Sequence, residues 1–254
     1  MIYKVFLAPT KIINPLATEH QIISIPVLSE EAEYLVNELK TKRVEELSKM
    51  MKISIEVARI NMDRFKKWRK STGENEEYHA IQMYAGEAFK AFDYKSLDER
   101  FHQKIQATLF IISGLYGVLK PFDLIYPYRL EMGLNYSPSK QHRNLYHYWN
   151  EKLVSYFDHQ LKKDDVIINL ASQEYTKAVD LNKLGRRVIT PHFKEFKNGN
   201  YTMVMMFAKK ARGKMARFIV ENEINRDEDL KLYCLDGYSF SESLSTENDW
   251  LFIR

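Results

Sequence analysis

The chain has 254 residues, of which 45% are hydrophobic and 28% are charged, so it is long enough for a sizeable core and is not disordered throughout. Its only cysteine, Cys234, excludes an intramolecular disulfide and a CxxC metal or redox site. The formal net charge of +4 is modest and by itself indicates no nucleic-acid partner.

The first part of the chain is predicted to contain one strand and three helices. Residues Ile2 to Ala8 are rich in β-forming side chains and precede Pro9, which predicts a strand that ends there. Ser29 is a candidate N-cap for a helix through about Lys40, and Arg43 to Met51 predicts a second helix. Apolar residues at helical spacing predict a third helix over residues 55–69.

Positive charge is concentrated in this helical region. Residues 40–70 contain eleven Lys or Arg side chains and four acids, a local balance of +7. Residues 219–254 contain nine acids and three bases, a balance of −6. The two regions therefore present opposite electrostatic fields.

The middle of the chain alternates between helical and strand patterns. Residues 97–106 and 145–161 have helical periodicity. The apolar runs LFIIS at 109–113 and DVIINL at 165–170 are typical of buried strands, and we expect the second to be central in a sheet. A loop segment rich in Gly, Pro and Tyr follows the first run.

A hairpin and a basic helix are predicted next. Residues 188–196 and 201–207 flank KNGN, whose Asn-Gly pair is a strong hairpin signal. We expect a helix from 208 to about 223 and an edge strand at 250–253. Together the elements predict an α/β fold with α+β character, in which helices flank a mixed β-sheet. We expect a single domain over 1–254, with 29–70 as a basic helical subregion.

The segment AKKARGKMARF at 208–218 carries five basic side chains and no acid. At about 100° per residue, one arc of the helix holds apolar side chains and is predicted to be buried: Ala208, Ala211, Met215, Phe218 and Ile219. Lys210, Lys214 and Arg217 lie roughly opposite, where we expect a solvated face available to phosphate. Arg212 lies at the edge of the apolar arc with Lys209 nearby, so Arg212 is expected to meet a protein carboxylate or an anionic ligand.

Several long motifs resemble those of the YaaA family, bacterial proteins associated with peroxide stress. The resemblance covers essentially the full chain, and these segments carry it: SGLYGVLKPFDLIYPYRLEMG at 113–133, LYHYW at 145–149, INLASQEY at 168–175, AKKARGKMARFIVEN at 208–222 and GYSF at 237–240. Two segments depart from the family pattern. LAPTK at 7–11 stands where the family has Ser-Pro-Ala-Lys, and AIQMYAGEAF at 80–89 has Glu87 and Phe89 where the family has an Asp and a Tyr.

The resemblance implies a compact α/β architecture with a basic cleft and a helical portion similar to a helix-hairpin-helix. It also implies DNA binding and a part in limiting free iron, and so iron-dependent oxidative damage, during peroxide stress. Double-stranded DNA is therefore the expected partner, and a monomer is favoured.

The first candidate site is a DNA-binding surface around MMKISIEVA at 50–58, between two predicted helices. Helix-hairpin-helix modules hold a DNA phosphate on the amides of a Gly-x-Gly turn, and Lys52 and Ser54 occupy the glycine positions here. Lys52 would add charge, and Ser54 would cap the second helix. The residues expected to contact duplex DNA without reading its sequence are Lys49, Lys52, Ser54, Arg59, Arg64, Lys66 and Lys67. The alternative is a surface hairpin without a ligand.

The second candidate site is an anion-binding cleft built from PYRLEMG, ASQEY and KKARG, and it would suit a small molecule bearing phosphate or carboxylate. The cations assigned to it are Lys11, Arg129, Lys209, Lys210, Arg212 and Arg217. The candidate catalytic residues are Glu131 or Glu174 as a base, Tyr128 or Tyr175 as a proton donor, and Ser172 near the carboxyl end of a strand. An enzyme of unknown reaction is thus the alternative function, and structural ion pairs among the same residues are the alternative to a site.

No metal site, cofactor or membrane partner is predicted. The histidines at 20, 79, 102, 142, 147, 159 and 192 show no HxxH or HExxH spacing, so direct iron binding is not expected. No run reaches the roughly 20 apolar residues of a membrane span, and the N-terminal pattern is not that of a signal peptide. We therefore expect a cytoplasmic protein.

Overall fold

A computed structural model describes residues 3–15, 22–71 and 77–254. The strands are β1 (Tyr3–Leu7), β2 (Tyr78–His79), β3 (Leu109–Ser113), β4 (Gly117–Leu119), β5 (Leu124–Ile125), β6 (Val166–Asn169), β7 (Arg187–Lys197), β8 (Asn200–Thr202), β9 (Ser239–Ser241) and β10 (Asp249–Ile253). The helices are α1 (Ser29–Lys40), α2 (Val44–Met51), α3 (Ile55–Lys67), α4 (Ala80–Met83), α5 (Glu87–Phe92), α6 (His102–Thr108), α7 (Leu145–Gln160), α8 (Gln173–Thr176), α9 (Met205–Glu221) and α10 (Asp227–Lys231).

A mixed sheet forms the centre of the molecule. In the described residues, eight strands join in the order β4-β3-β1-β6-β7-β10-β9, with β8 paired to the end of β7. The strands from β3 to β10 in this order are parallel, and β4 and β9 are antiparallel at the two ends. The predicted mixed sheet and the central position of residues 166–169 are confirmed.

Helices cover both faces of this sheet. Phe6 and Phe110 are register partners on one face, where the Phe157 ring of α7 lies 4.5 and 5.4 Å from their ring centroids. Side chains alternate between faces along a strand, so the register from Val5 through Ile168 and Ile189 places Phe193 on the opposite face. There Tyr233 packs between Phe193 and Phe218 of α9.

Two predicted helices begin differently from expectation. α1 includes Ser29 itself, because Leu28 is the N-cap residue and makes no side-chain capping bond. Residues 97–106 are not one helix: Leu97 and Asp98 are extended, a 3-10 turn covers Glu99–Phe101, and α6 begins at His102. Asp98 causes the break, since its carboxylate accepts a hydrogen bond from the Arg100 N–H at 2.9 Å and caps the turn.

The C-terminal strands also differ in extent from prediction. The KNGN hairpin is present, but β8 ends at Thr202 and α9 begins at Met205. The Ala208 N–H donates to the Val204 carbonyl at 2.9 Å, so residues assigned to a strand form the first helical turn. The expectation of an edge strand at 250–253 is wrong, because β9 pairs outside β10. The polar segment that forms β9 had no strand pattern in the sequence.

One predicted strand lies at the start of the described chain. The predicted first strand is confirmed as β1, and its first residue, Ile2, lies outside the described residues.

Among the helices that the structure describes, none is both long and apolar enough to cross a bilayer.

Helices α5 and α9 approach each other closely at Gly213. A Cβ atom added there would lie 1.9 Å from the carbonyl oxygen of Ala88, which is a backbone atom. We expect Gly213→Ala to lower the free energy of unfolding by about 2 kcal/mol, because overpacking exceeds the gain in helix propensity. Urea denaturation measures this change. Gly133→Ala is the control, since its Cβ would come no closer than 3.3 Å to the side chains of Glu174 and Tyr146. Equal stability of the two variants would contradict the close contact.

Candidate functional site

The first predicted site is formed by α2, α3 and the turn between them, called here the helical hairpin (residues 44–67). Lys52 ends α2 in the left-handed conformation, with φ 51° and ψ 53°, which glycine adopts most easily. Ser54 caps α3 as predicted, since its Oγ accepts a hydrogen bond from the Val57 N–H at 3.3 Å. The turn therefore forms without a glycine at either position.

Five of the predicted contact residues on the helical hairpin project into solvent. In the part of the chain that the structure describes, none of these side chains forms an ion pair or a hydrogen bond: Lys49, Lys52, Arg59, Lys66 and Lys67. Their charges are thus free to meet an external anion. We call these five residues the hairpin cations.

Arg64 is predicted to belong with the hairpin cations, but it lies in a different environment. Its side chain is half-buried, and its Nη1 donates to the Asn61 Oδ1 at 3.3 Å. Burial, together with the nearby positive charge of Arg129, lowers the pKa of Arg64. Arg64 therefore differs from the hairpin cations, because its charge is partly desolvated and its side chain is bonded within α3.

The second site contains a cavity of about 330 Å³ beyond the carboxyl ends of β1 and β6. In the sheet, β1 and β6 are neighbours, and the next strand in sequence lies on the outer side of each: β3 beside β1, and β7 beside β6. The strand order therefore reverses between β1 and β6. Open α/β sheets bind ligands at such a reversal, because the loops diverge and leave a crevice. Residues 8–12 and 170–175 line this space, called here the switch-point cavity, and α5 and α9 close it.

Six of the residues predicted for the cleft line the switch-point cavity: Lys11, Ser172, Glu174, Tyr175, Lys209 and Arg212. Gly86, Glu87 and Phe89 also line it, although no role was predicted for them. The sequence distinguishes this segment only by its departure from the family pattern. A Cβ at Gly86 would lie 2.2 Å from the Thr10 Oγ1, so this glycine lets the loop after β1 approach α5.

Glu131 is a buried carboxylate beside the cavity and is held by two cations. Arg129 donates to its Oε1 from Nε at 3.0 Å and from Nη2 at 2.8 Å, and the Lys11 Nζ lies 3.1 Å from the same oxygen. Burial raises the pKa of Glu131, but the hydrogen bonds and charges of Arg129 and Lys11 outweigh it, so the net pKa lies below the ordinary value. Glu131 is therefore a stable counter-ion, and its low pKa makes it a weak base.

The other candidate catalytic residues differ in their access to the cavity. Tyr128 is buried, with its hydroxyl 2.6 Å from both the Tyr84 hydroxyl and the Ser113 Oγ, and burial raises its pKa to about 12. Tyr175 lines the cavity, and burial, reinforced by the charge of Glu174, raises its pKa. Glu174 is exposed and accepts a hydrogen bond from the Gly133 N–H at 3.1 Å. Of the two tyrosines, Tyr175 is thus the one that combines a neutral hydroxyl with a position at the cavity, where Ser172 also lies.

Two cations assigned to the cleft lie elsewhere on α9. Lys210 is 3.6 Å from Asp236, and the neighbouring Lys214 also pairs with Asp236. Arg217 donates to the carbonyls of Phe92 and Asp93 at 3.0 and 2.8 Å and pairs with Glu221. The expected solvated face is therefore wrong for Lys214 and Arg217, which are half-buried in structural ion pairs. Asp236, Phe92 and Asp93 are distant in sequence and left no local signal, whereas Glu221 lies one turn away on α9 itself.

Arg212 differs from Lys210, Lys214 and Arg217 on this helix. Its side chain is half-buried against the cavity, and burial alone lowers its pKa. Among the residues that the structure describes, its guanidinium forms no ion pair and no hydrogen bond. The predicted burial of the apolar arc beside it is confirmed, since Ala208, Ala211, Met215 and Ile219 are almost fully inaccessible and Phe218 is partly so.

Across residues 3–15, 22–71 and 77–254, no three His, Cys, Asp or Glu side chains converge as a set of metal ligands. His20, one of the histidines considered in the sequence, lies outside the described residues.

Comparison with known proteins gives full-length matches. A family model described as peroxide stress protein YaaA matches residues 3–244. A UPF0246 protein of Colwellia psychrerythraea is 39% identical over 243 residues, which cover 95% of this chain and 93% of that protein. A UPF0246 protein of Shewanella denitrificans is 40% identical with 98% of each chain covered. One of Hahella chejuensis is 41% identical over 222 residues, covering 87% of this chain and 86% of that protein.

Proposed function

The chain belongs to the family of the peroxide stress protein YaaA, and from this membership we propose that it binds duplex DNA through the hairpin cations. One observation supports the proposal above all. Five exposed cations share one short helical segment and have no protein partner within the described residues. Solvated cations of this kind attract a polyanion because they release its condensed counterions on contact.

The chemistry of the hairpin cations favours contacts to phosphate over contacts to bases. Four of the five are lysines, which act as mobile point charges, whereas base readout relies on fixed bidentate donors. Phosphate contacts carry no sequence information. The proposed binding is therefore independent of DNA sequence.

Such binding gives a physical link to peroxide stress. A protein that covers the phosphate backbone occupies the surface at which iron associates with DNA, and so it would limit iron-dependent oxidative damage there. The proposed partner is intracellular DNA, which corresponds to action in the cytoplasm.

The proposal is tested by the salt dependence of binding, measured by fluorescence anisotropy with random-sequence duplexes and single strands. If all five hairpin cations contact phosphates, the slope of log K against log salt for the duplex is expected to be about −4.5. Duplexes of different sequence should give the same affinity. Absence of binding at about 50 mM salt, or a slope near zero, would contradict DNA binding as the function.

A further inference from the structure

We propose that the switch-point cavity is a binding site for a small molecule that carries a phosphate or carboxylate group on an apolar body. This site is separate from the hairpin cations and does not depend on DNA binding. The cavity holds about 330 Å³, within the size range of small-ligand sites in proteins.

The anionic end of the ligand is inferred from two cations on α9. Lys209 and Arg212 both line the cavity, and neither makes an ion pair or side-chain hydrogen bond with any residue that the structure describes. They are three positions apart on one helix, where two like charges repel each other. Arg212 is also half-buried, and a desolvated guanidinium without a partner is unfavourable. An anion placed between the two side chains would remove both penalties.

The other charges around the cavity do not neutralise these cations. Lys11 is held by Glu131 at 3.1 Å, and the Glu174 carboxylate accepts the Gly133 N–H at 3.1 Å. The other acid on the wall, Glu87, lies 3.7 Å from Lys90 on its own helix. Each of these three carboxylates thus already has a partner, while Lys209 and Arg212 have none among the described residues.

The apolar body of the ligand is inferred from the remaining walls. Leu7 and Leu170 come from the ends of β1 and β6, and Phe89 from α5, and all three line the cavity. Most of the surface of these three side chains is buried within the protein, and the cavity exposes only a small part of each. An inorganic anion alone would leave this apolar surface in contact with water, whereas a ring or short chain would cover it. Ser172 and Tyr175 add hydroxyl groups that can orient a polar atom of the ligand.

The test uses three probes that separate these features: phenyl phosphate, benzoate and inorganic phosphate. Each is titrated into the ¹⁵N-labelled full-length protein at low ionic strength, and amide chemical shifts give both the affinity and the location of binding. We expect phenyl phosphate or benzoate to shift amides of residues 9–12, 170–175 and 208–213, with inorganic phosphate weaker than phenyl phosphate. The comparison of phenyl phosphate with benzoate decides between a phosphate and a carboxylate ligand.

Variants test whether Arg212 and Lys209 hold the anion. Arg212→Gln is expected to weaken binding of the better probe at least about tenfold, since a charge-assisted hydrogen bond is lost. Lys209→Gln should also weaken binding, and it provides the test if Arg212→Gln fails to fold. Lys210→Gln is the matched control, because this neighbouring lysine pairs with Asp236 outside the cavity. Duplex binding should be unchanged in Arg212→Gln, which separates this site from the proposed function.

Three results would overturn the inference. One is the absence of cavity shifts with all three probes up to about 10 mM, a range in which fragment-sized ligands bind measurably. Another is equal affinity of the wild type and the Arg212→Gln and Lys209→Gln variants. The third is a lower thermal stability of Arg212→Gln with unchanged probe binding, since that combination would assign Arg212 a purely structural role.

Discussion

Replacement of Lys49, Lys52 and Lys66 together by glutamate is expected to weaken duplex binding by roughly 100-fold at low salt. Each exposed phosphate contact is worth about 1 kcal/mol, so three give about 3 kcal/mol, and each 1.4 kcal/mol changes affinity tenfold. The magnitude of the salt slope should fall by roughly 3, one unit for each lost contact. Fluorescence anisotropy across a salt series measures both quantities.

This variant needs a control for overall charge, because the three reversals change the net charge of the protein by six. The chain offers a matched set in Lys163, Lys177 and Lys197, which are also exposed and lie outside the helical hairpin. Their joint replacement by glutamate alters net charge equally but is expected to leave the salt slope nearly unchanged. Equal losses of affinity in both triple variants would show that net charge, and not the helical hairpin, controls binding.

Replacement of Arg129 by alanine is expected to lower the free energy of unfolding by about 3 kcal/mol at pH 7, as measured by urea denaturation. The change removes two hydrogen bonds, of 3.0 and 2.8 Å, from the buried Glu131 carboxylate. The second oxygen of Glu131 is also buried and has no hydrogen-bond partner among the described residues. Within the same part of the chain, the ion-pair partner that would remain is Lys11, which is largely exposed. Loss of one member of a buried ion pair is destabilising because the other charge stays desolvated.

The effect of Arg129→Ala should depend on pH in a defined direction. In the wild type the pKa of Glu131 lies below its ordinary value of 4.5, so its ionised form stabilises the fold above that pH. This contribution is lost as the pH falls through the lowered pKa. In Arg129→Ala, burial dominates and raises the pKa of Glu131. The stabilisation by its ionised form is therefore absent before the pH is lowered. The difference in the free energy of unfolding between the wild type and Arg129→Ala should therefore be largest near neutral pH. It should decrease as the pH falls below about 4.5.

An exposed arginine provides the control for this variant. Arg226 donates to Asp229 with two hydrogen bonds of 2.8 and 2.9 Å, a geometry similar to that of Arg129, but its side chain is 68% exposed. Arg226→Ala is expected to lower the free energy of unfolding far less than Arg129→Ala, since solvent screens the exposed pair. A similar small cost for Arg129→Ala, without pH dependence, would show that the Glu131 cluster contributes little to stability.

Local patterns predicted most elements of the fold because each depends on neighbours in the sequence. Helix α7 follows from the periodicity of its apolar residues, strand β6 from its continuous apolar run, and the β7–β8 hairpin from its Asn-Gly turn. Ser54 capped α3 as its position predicted. The paired strand β9 was missed because its three residues, SFS, are too few to establish a strand pattern and gain their structure from β10. An edge strand is defined by its partner, and the partner is a tertiary feature.

The sequence by itself therefore determined the family, the mixed sheet and the buried side of α9. Tertiary structure alone decided which of the basic residues on that helix are neutralised. Arg217 meets Asp93, 124 positions away, and Lys214 meets Asp236, whereas Arg212 reaches only the cavity wall. Helical periodicity predicts the direction of a side chain from its own helix, but an ion pair depends on a second segment that the fold brings to it. For this reason the unpaired arginine became distinguishable from its paired neighbours only in three dimensions.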